Sequence, residues 1–99
     1  MLVRILGSAA GGGFPQWNCA CENCRGLRAG LIRASPRTQE SLCLSADGRD
    51  WFLINASPDI RSQIEGFEPL HPKTSRASPI QAIFLTNGDL DHCLGLLSL

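Results

Sequence analysis

Apolar and polar residues alternate over Leu2-Val-Arg-Ile-Leu6, a β-prone pattern that predicts a first strand. A permissive loop, Gly7-Ser-Ala-Ala-Gly-Gly-Gly13, follows it. Residues 14–39 show little periodicity, and the expectation there is an irregular excursion with one short helix near 22–29. Ser41-Leu-Cys-Leu-Ser45 and Trp51-Phe-Leu-Ile54 read as two short strands, and Asp47-Gly48 between them signals a hairpin. Ser57-Pro58-Asp59 has the order of a helix start: a hydroxyl N-cap, a proline at the first helical position and a carboxylate in the first turn. Ile60, Ile64 and Phe67 lie at helical spacing, so the helix should run to about Glu65 and stop at Gly66. Three prolines, Pro69, Pro72 and Pro79, predict a loop over 68–79. Ile80-Gln-Ala-Ile-Phe-Leu-Thr86 is apolar on both faces, as a buried central strand would be. A second helix is expected from His92 to Leu99. The order is strand, long loop, hairpin, helix, strand, helix, an α/β (α+β) arrangement.

Composition narrows the function classes. The chain has 99 residues, 43 % hydrophobic and 18 % charged, with nine Lys and Arg against nine Asp and Glu. A neutral chain carries no electrostatic footprint for a nucleic-acid backbone or an anionic membrane. No apolar run approaches the roughly 20 residues that cross a bilayer. The start lacks a basic region followed by a long apolar one, so no signal peptide is expected and the predicted location is cytoplasmic. Charge is not evenly spread: residues 1–49 carry six Arg and three acids, residues 50–99 three bases and six acids. Gly95-Leu-Leu-Ser-Leu99 is an apolar run with no helix stop signal. The chain is therefore expected to be the amino-terminal portion, residues 1–99, of a single larger domain.

Five cysteines are many for a small chain, and three lie within six residues as Cys19-Ala-Cys21-Glu-Asn-Cys24. An odd, clustered set without an export signal fits metal ligation better than a disulfide framework. Three thiolates supply three of the four donors of a structural zinc site. Within the chain, His71 and Cys43 are the candidates for the fourth. Cys43 and Cys93 sit among apolar residues and are expected to be buried. The glycine loop is not a nucleotide motif: Gly11-Gly12-Gly13 leads into Phe14-Pro15, not a helix, and no Lys closes it as a phosphate loop would require. A glycine loop after a strand commonly borders a pocket. Acidic and imidazole groups gather in Thr86-Asn-Gly-Asp-Leu-Asp-His-Cys-Leu-Gly95, after a strand's carboxyl end, where α/β proteins place their sites.

That last segment resembles the metallo-β-lactamase superfamily signature, Thr-His-x-His-x-Asp-His-x-x-Gly. Thr86, Asp91, His92 and Gly95 match, while Asn87 and Asp89 stand where the two leading histidines would be. Longer stretches make the whole chain similar to one branch of that superfamily, the B-protein family of pyrroloquinoline quinone (PQQ) biosynthesis. They are Leu6 to Cys19, Cys21-Glu-Asn-Cys24, Pro36-Arg-Thr-Gln39 and Asn55 to Arg61. The resemblance implies the first half of an αβ/βα sandwich with a zinc-clamped excursion. It also implies an active-site metal held by Asp91 and His92 as catalytic residues. Asp89 would add a second carboxylate or stand outside the shell.

Loss of the two leading imidazoles argues against two-metal hydrolysis. One further His would complete a two-His, one-carboxylate set, the ligand set of non-haem iron(II) oxygenases. The expected cofactors are therefore structural zinc and active-site iron(II). The expected function is oxidation or hydroxylation of the crosslinked Glu–Tyr precursor in PQQ biosynthesis. The alternative is non-catalytic binding of PQQ or its precursor and carriage toward the periplasm. The 99 residues alone are expected to be inactive. A small molecule, the PQQ precursor or PQQ itself, is the implied partner, with no nucleic acid and no membrane.

Overall fold

A computed structural model describes residues 1–99. Four strands form one sheet in chain order: β1 (Leu2–Gly7), β2 (Ser41–Ser45), β3 (Trp51–Ile54) and β4 (Ile80–Phe84). β1 pairs antiparallel with β2, β2 antiparallel with β3, and β3 parallel with β4. The expected mixed α/β class is present. Helix α1 (Glu22–Arg28) lies in the excursion, and α2 (Ile60–Glu65) makes the crossover between the parallel strands. Helix α3 (Leu90–Cys93) runs into a 3₁₀ segment, Leu94–Ser98, so the last element is two short pieces and not the single helix expected. No helix is long and apolar enough to cross a membrane.

The β2–β3 hairpin follows its turn residues. Gly48 takes φ +79°. The Asp47 carboxylate accepts the backbone N–H groups of Arg49 at 2.8 Å and Asp50 at 3.0 Å, and Ser45 Oγ accepts that of Gly48 at 2.8 Å. These bonds satisfy the turn's amides locally, as a short acidic side chain can in this position. They also hold the Asp47 carboxyl below its usual range, the Asp50 N–H acting most strongly.

Period-two alternation buries Ser41, Cys43 and Ser45 of β2 and Trp51 and Leu53 of β3 on one face. Ile60 of α2 and Leu70 complete the core there, with Ile64 and Phe67 packed against it. Phe67 meets Trp51 edge to face at 5.4 Å and lies under the Arg4 guanidinium at 5.0 Å. The helix start is displaced from its expected place. Ser57 Oγ accepts the Asp59 N–H at 3.2 Å, but regular helix begins only at Ile60. The Asp59 carboxylate does not cap it. It accepts the backbone and side-chain N–H groups of Gln39 at 3.0 and 3.1 Å, tying α2 to the end of the excursion.

Within these 99 residues β4 is the last strand of the sheet, and Phe84 is 56 % exposed. Its apolar residues on the side away from α2 belong to a second sheet face. That face also carries Val3 and Ile5, both 58 % exposed, and Phe52, which stacks at 6.3 Å on Phe84. Apolarity on both faces of a strand reports what the sheet is able to bury, and within these 99 residues only one face is covered.

Candidate functional site: two donor clusters

The excursion between β1 and β2 is closed at its neck by backbone bonds. Ala9 pairs with Gln39 and Phe14 with Arg37, and Glu40 N donates to Ala9 O at 2.8 Å. Beyond the neck lies the cysteine hook. The sulfurs of Cys19, Cys21 and Cys24 lie within 4.8 Å of one another. They ride on two local pieces of backbone. Cys19 N–H donates to Gln16 O at 3.1 Å, closing a turn, and Cys21 is the N-cap of α1, with Cys24 in its first turn. Backbone N–H groups point at sulfur: Cys21 N to Cys19 Sγ and Cys24 N to Cys21 Sγ, both 3.4 Å.

These donors favour thiolate. The Cys24 N–H and then the Cys19 thiol lower the Cys21 pKa to about 7. At Cys24 the Gln16 N–H acts in the same direction, but burial and the neighbouring thiolates together prevail and raise its pKa. All five cysteines are free thiols. The hook's donor chemistry fits a soft or borderline cation such as zinc: three sulfurs of one ion's reach, pre-set by amide hydrogen bonds. Neither expected fourth donor joins them. Cys43 is fully buried in the sheet core, where desolvation pushes its pKa up to about 11. His71 lies beyond α2 with Nε2 3.0 Å from Glu65 O. Cys93 is half-buried, and its thiol donates to Gly88 O at 3.6 Å.

The second cluster is built by tertiary contacts. Asn55, at the end of β3, takes φ +66°, a conformation that asparagine tolerates better than most residues. Its Oδ1 accepts both Thr86 N–H at 3.0 Å and Thr86 Oγ–H at 3.1 Å, which holds the loop after β4. Ala56 N donates to His92 O and Gly95 N to Ala56 O, both at 2.8 Å, docking α3 onto the β3–α2 loop. A Cβ on Gly95 would collide with Ser57 O, so only glycine permits this approach. Sequence reasoning passed over Asn55 as a positioning residue. Its signal is a lone Asn directly after an apolar strand.

Asp91 and His92, neighbours in the chain, are thereby turned toward Glu40. His92 Nδ1 lies 2.8 Å from Asp91 Oδ1 and 3.0 Å from Glu40 Oε1, and all three side chains are less than a third exposed. The glycine loop lies alongside: a Cβ on Gly11 would stand 3.4 Å from Asp91 Oδ2. The sequence left Asp89 either as a second carboxylate or outside the shell. Asp89 does not join the converging donor atoms, and Glu40 does. Asp89 is instead the residue before α3, with its N–H on Asn87 Oδ1 at 2.8 Å. Glu40 carried no signal in the sequence, because only the closure of the excursion's neck places it here.

Both Glu40 oxygens are buried without a hydrogen-bond donor. The 3.0 Å approach of His92 Nδ1 is thus an ion-pair contact off the ring N–H direction, and the ring's hydrogen bond goes to Asp91. Burial, reinforced by the Asp91 carboxylate, raises the Glu40 pKa. The hydrogen bond from His92 lowers that of Asp91, and the same bond raises that of His92. Two carboxylates around one imidazole are short of positive charge, and orphaned carboxylate oxygens are costly. The donor set, two hard oxygens and one nitrogen, fits a divalent cation such as iron(II).

Residues 50–99 match the beta-lactamase superfamily domain. Along its whole length the chain is 61 % identical to Coenzyme PQQ synthesis protein B of Stutzerimonas stutzeri and 60 % identical to that of Azotobacter vinelandii. It covers 33 % of each, so it spans about a third of the length of these curated relatives. The crystal structure of Zn(2+)-bound PqqB from Methylobacterium extorquens superposes with TM-score 0.92 at 58 % identity, over 97 % of this chain and 32 % of that one. A diphosphatase from the PhnP family superposes with TM-score 0.75 at 29 % identity, over 97 % and 33 %. The chain belongs to the beta-lactamase superfamily.

Proposed function

We propose that this chain serves PQQ biosynthesis, as part of a metal-dependent protein that hydroxylates the crosslinked Glu–Tyr precursor. The observation that carries the reading is the meeting of Asp91 and His92 with the two donorless oxygens of Glu40, beside the glycine loop. The names of the relatives, Coenzyme PQQ synthesis protein B, support the pathway. Asn87 and Asp89, in place of the two leading histidines, favour oxidation over the hydrolysis performed by the diphosphatase relative.

Iron(II) at this site would supply the redox chemistry that lets O₂ insert one oxygen atom into the substrate, the other leaving as water with two electrons from an external reductant. The chain's own residues set the conditions. Asp91 and His92 offer one oxygen and one nitrogen donor. Asp91 orients the ring through Nδ1, and Asn55 and Gly95 hold the segment that carries both. The glycine loop packs against the Asp91 carboxylate, and a small molecule, the precursor or PQQ, would be the partner. Zinc on Cys19, Cys21 and Cys24 would pin the excursion, and the relative from Methylobacterium extorquens is zinc-bound. A cytoplasmic location fits a biosynthetic role.

The test supplies full-length protein with iron(II), O₂, a reductant and the crosslinked substrate. Hydroxylated product, absent from the Asp91→Ala/His92→Ala variant, is expected. No product, together with tight PQQ binding that survives in that variant, would instead establish the carrier role.

A further inference from the structure

The three hook sulfurs are carried by two separate pieces of backbone. Cys19 sits at the end of the turn 16–19, whereas Cys21 and Cys24 belong to the start of α1. The turn has little packing of its own, since Trp17 is 80 % exposed. Beside the Cys21 N–H on Cys19 Sγ, one long side chain ties the two pieces together. Arg28, in the last turn of α1, sends its guanidinium back along the helix. Nη1 donates to Cys19 O at 2.6 Å and Nη2 to Gln16 O at 2.6 Å. Both bonds are charge-assisted and short, and the planar fork takes both ends of the turn at once.

We infer that Arg28 is the positioning residue of the cysteine hook, fixing Cys19 against Cys21 and Cys24 so that the three sulfurs are gathered before a metal arrives. This rests on the reading of the hook as a zinc site, but the gathering itself does not. Lysine in its place keeps the charge and cannot span Gln16 O and Cys19 O together. Groups that orient ligands in this way typically change metal affinity by about 10–100-fold when removed.

The experiment compares full-length wild type with Arg28→Lys and Arg28→Gln by three readouts. Zinc affinity is measured by competition with a chelator. Cobalt(II) substitution reports thiolate-to-metal charge transfer. Alkylation with iodoacetamide, read residue by residue by mass spectrometry, is followed in the metal-free and zinc-loaded states. Both variants should lose about 10–100-fold in zinc affinity. The cobalt charge-transfer band should weaken, and Cys19 should become the fastest-alkylated hook cysteine while Cys21 and Cys24 keep their wild-type order. Unchanged affinity, with Cys19 as protected as in wild type, would overturn the inference. A Cys19→Ser/Cys21→Ser/Cys24→Ser variant that binds as much zinc as wild type would overturn the zinc reading alone. The metal-free alkylation of Cys19 then still decides the role of Arg28. If Arg28→Gln does not fold, Arg28→Lys carries the same comparison, and equal Cys19 reactivity in Arg28→Lys and wild type counts against the clamp.

Discussion

The two donor clusters differ in how they are made. The hook draws three sulfurs from six consecutive residues and is held by amide, turn and guanidinium hydrogen bonds within residues 16–28. The Glu40–Asp91–His92 cluster joins residues about fifty apart in sequence and exists only because the sheet, the excursion's neck and the Ala56–Gly95 contact are all in place. The first should survive damage to the core, and the second should not. The hook is also chemically soft and graded from exposed Cys21 to buried Cys24, whereas the second cluster is hard and partly enclosed.

The largest expected contrast is in thiol reactivity. With Cys21 near 7 and Cys43 near 11, their thiolate fractions at pH 7 differ by roughly 10³–10⁴-fold, and Cys43 is fully buried besides. Metal-free protein treated with iodoacetamide should therefore label in the hook while Cys43 stays unmodified until unfolding. Early labelling of Cys43 would mean that the core opens as readily as the hook.

Next in size is Leu53→Ala, which empties a fully buried position at the centre of the sheet. It should lower unfolding free energy by about 2–5 kcal/mol in urea titrations. Metal bound at Asp91 and His92 should be lost at lower urea than zinc at the hook. Simultaneous loss of both metals would remove the distinction between a local and a tertiary site.

Asn55→Ala removes the acceptor for two Thr86 donors and leaves a non-glycine residue at positive φ. A cost of about 1–3 kcal/mol is expected. Asn55→Gly should restore the backbone part but not the Thr86 anchor, so metal affinity at His92 should stay reduced even where stability partly returns. Hook zinc should be unaffected in both.

The smallest effect belongs to Asp47. Its folded pKa lies below the unfolded value, so its contribution is fully present above the ordinary carboxylate range and is lost as pH falls through the folded pKa. Asp47→Asn should flatten the acid side of a pH–stability profile below about pH 4 and leave both clusters unchanged at neutral pH.

Legibility in the sequence followed the range of the interactions. The hairpin with Asp47-Gly48, the short helix α1 and the cysteine hook were readable because each depends on residues a few positions apart. Asp91 and His92 were readable from a resemblance and not from periodicity. Glu40 was not, since nothing in Gln39-Glu40-Ser41 marks it. Its place follows from the Glu40–Ala9 backbone bond and from Gln63 Nε2 holding Gln39 O at 2.8 Å. The strand at 80–86 was readable as a strand and its pairing with β3 was not, because apolar side chains record a capacity for burial and do not say which neighbour supplies it.

By itself the sequence determined the four strands, the hairpin turn, helix α1 and the cysteine cluster, since backbone propensity, turn chemistry and closely spaced ligands act over a few residues. Only the tertiary structure decided which further carboxylate faces His92, Glu40 and not Asp89. It also decided that β4 runs parallel beside β3. Those outcomes depend on closing long loops and bringing two backbones close at Gly95, and the free energy of such closures resides in contacts between distant segments.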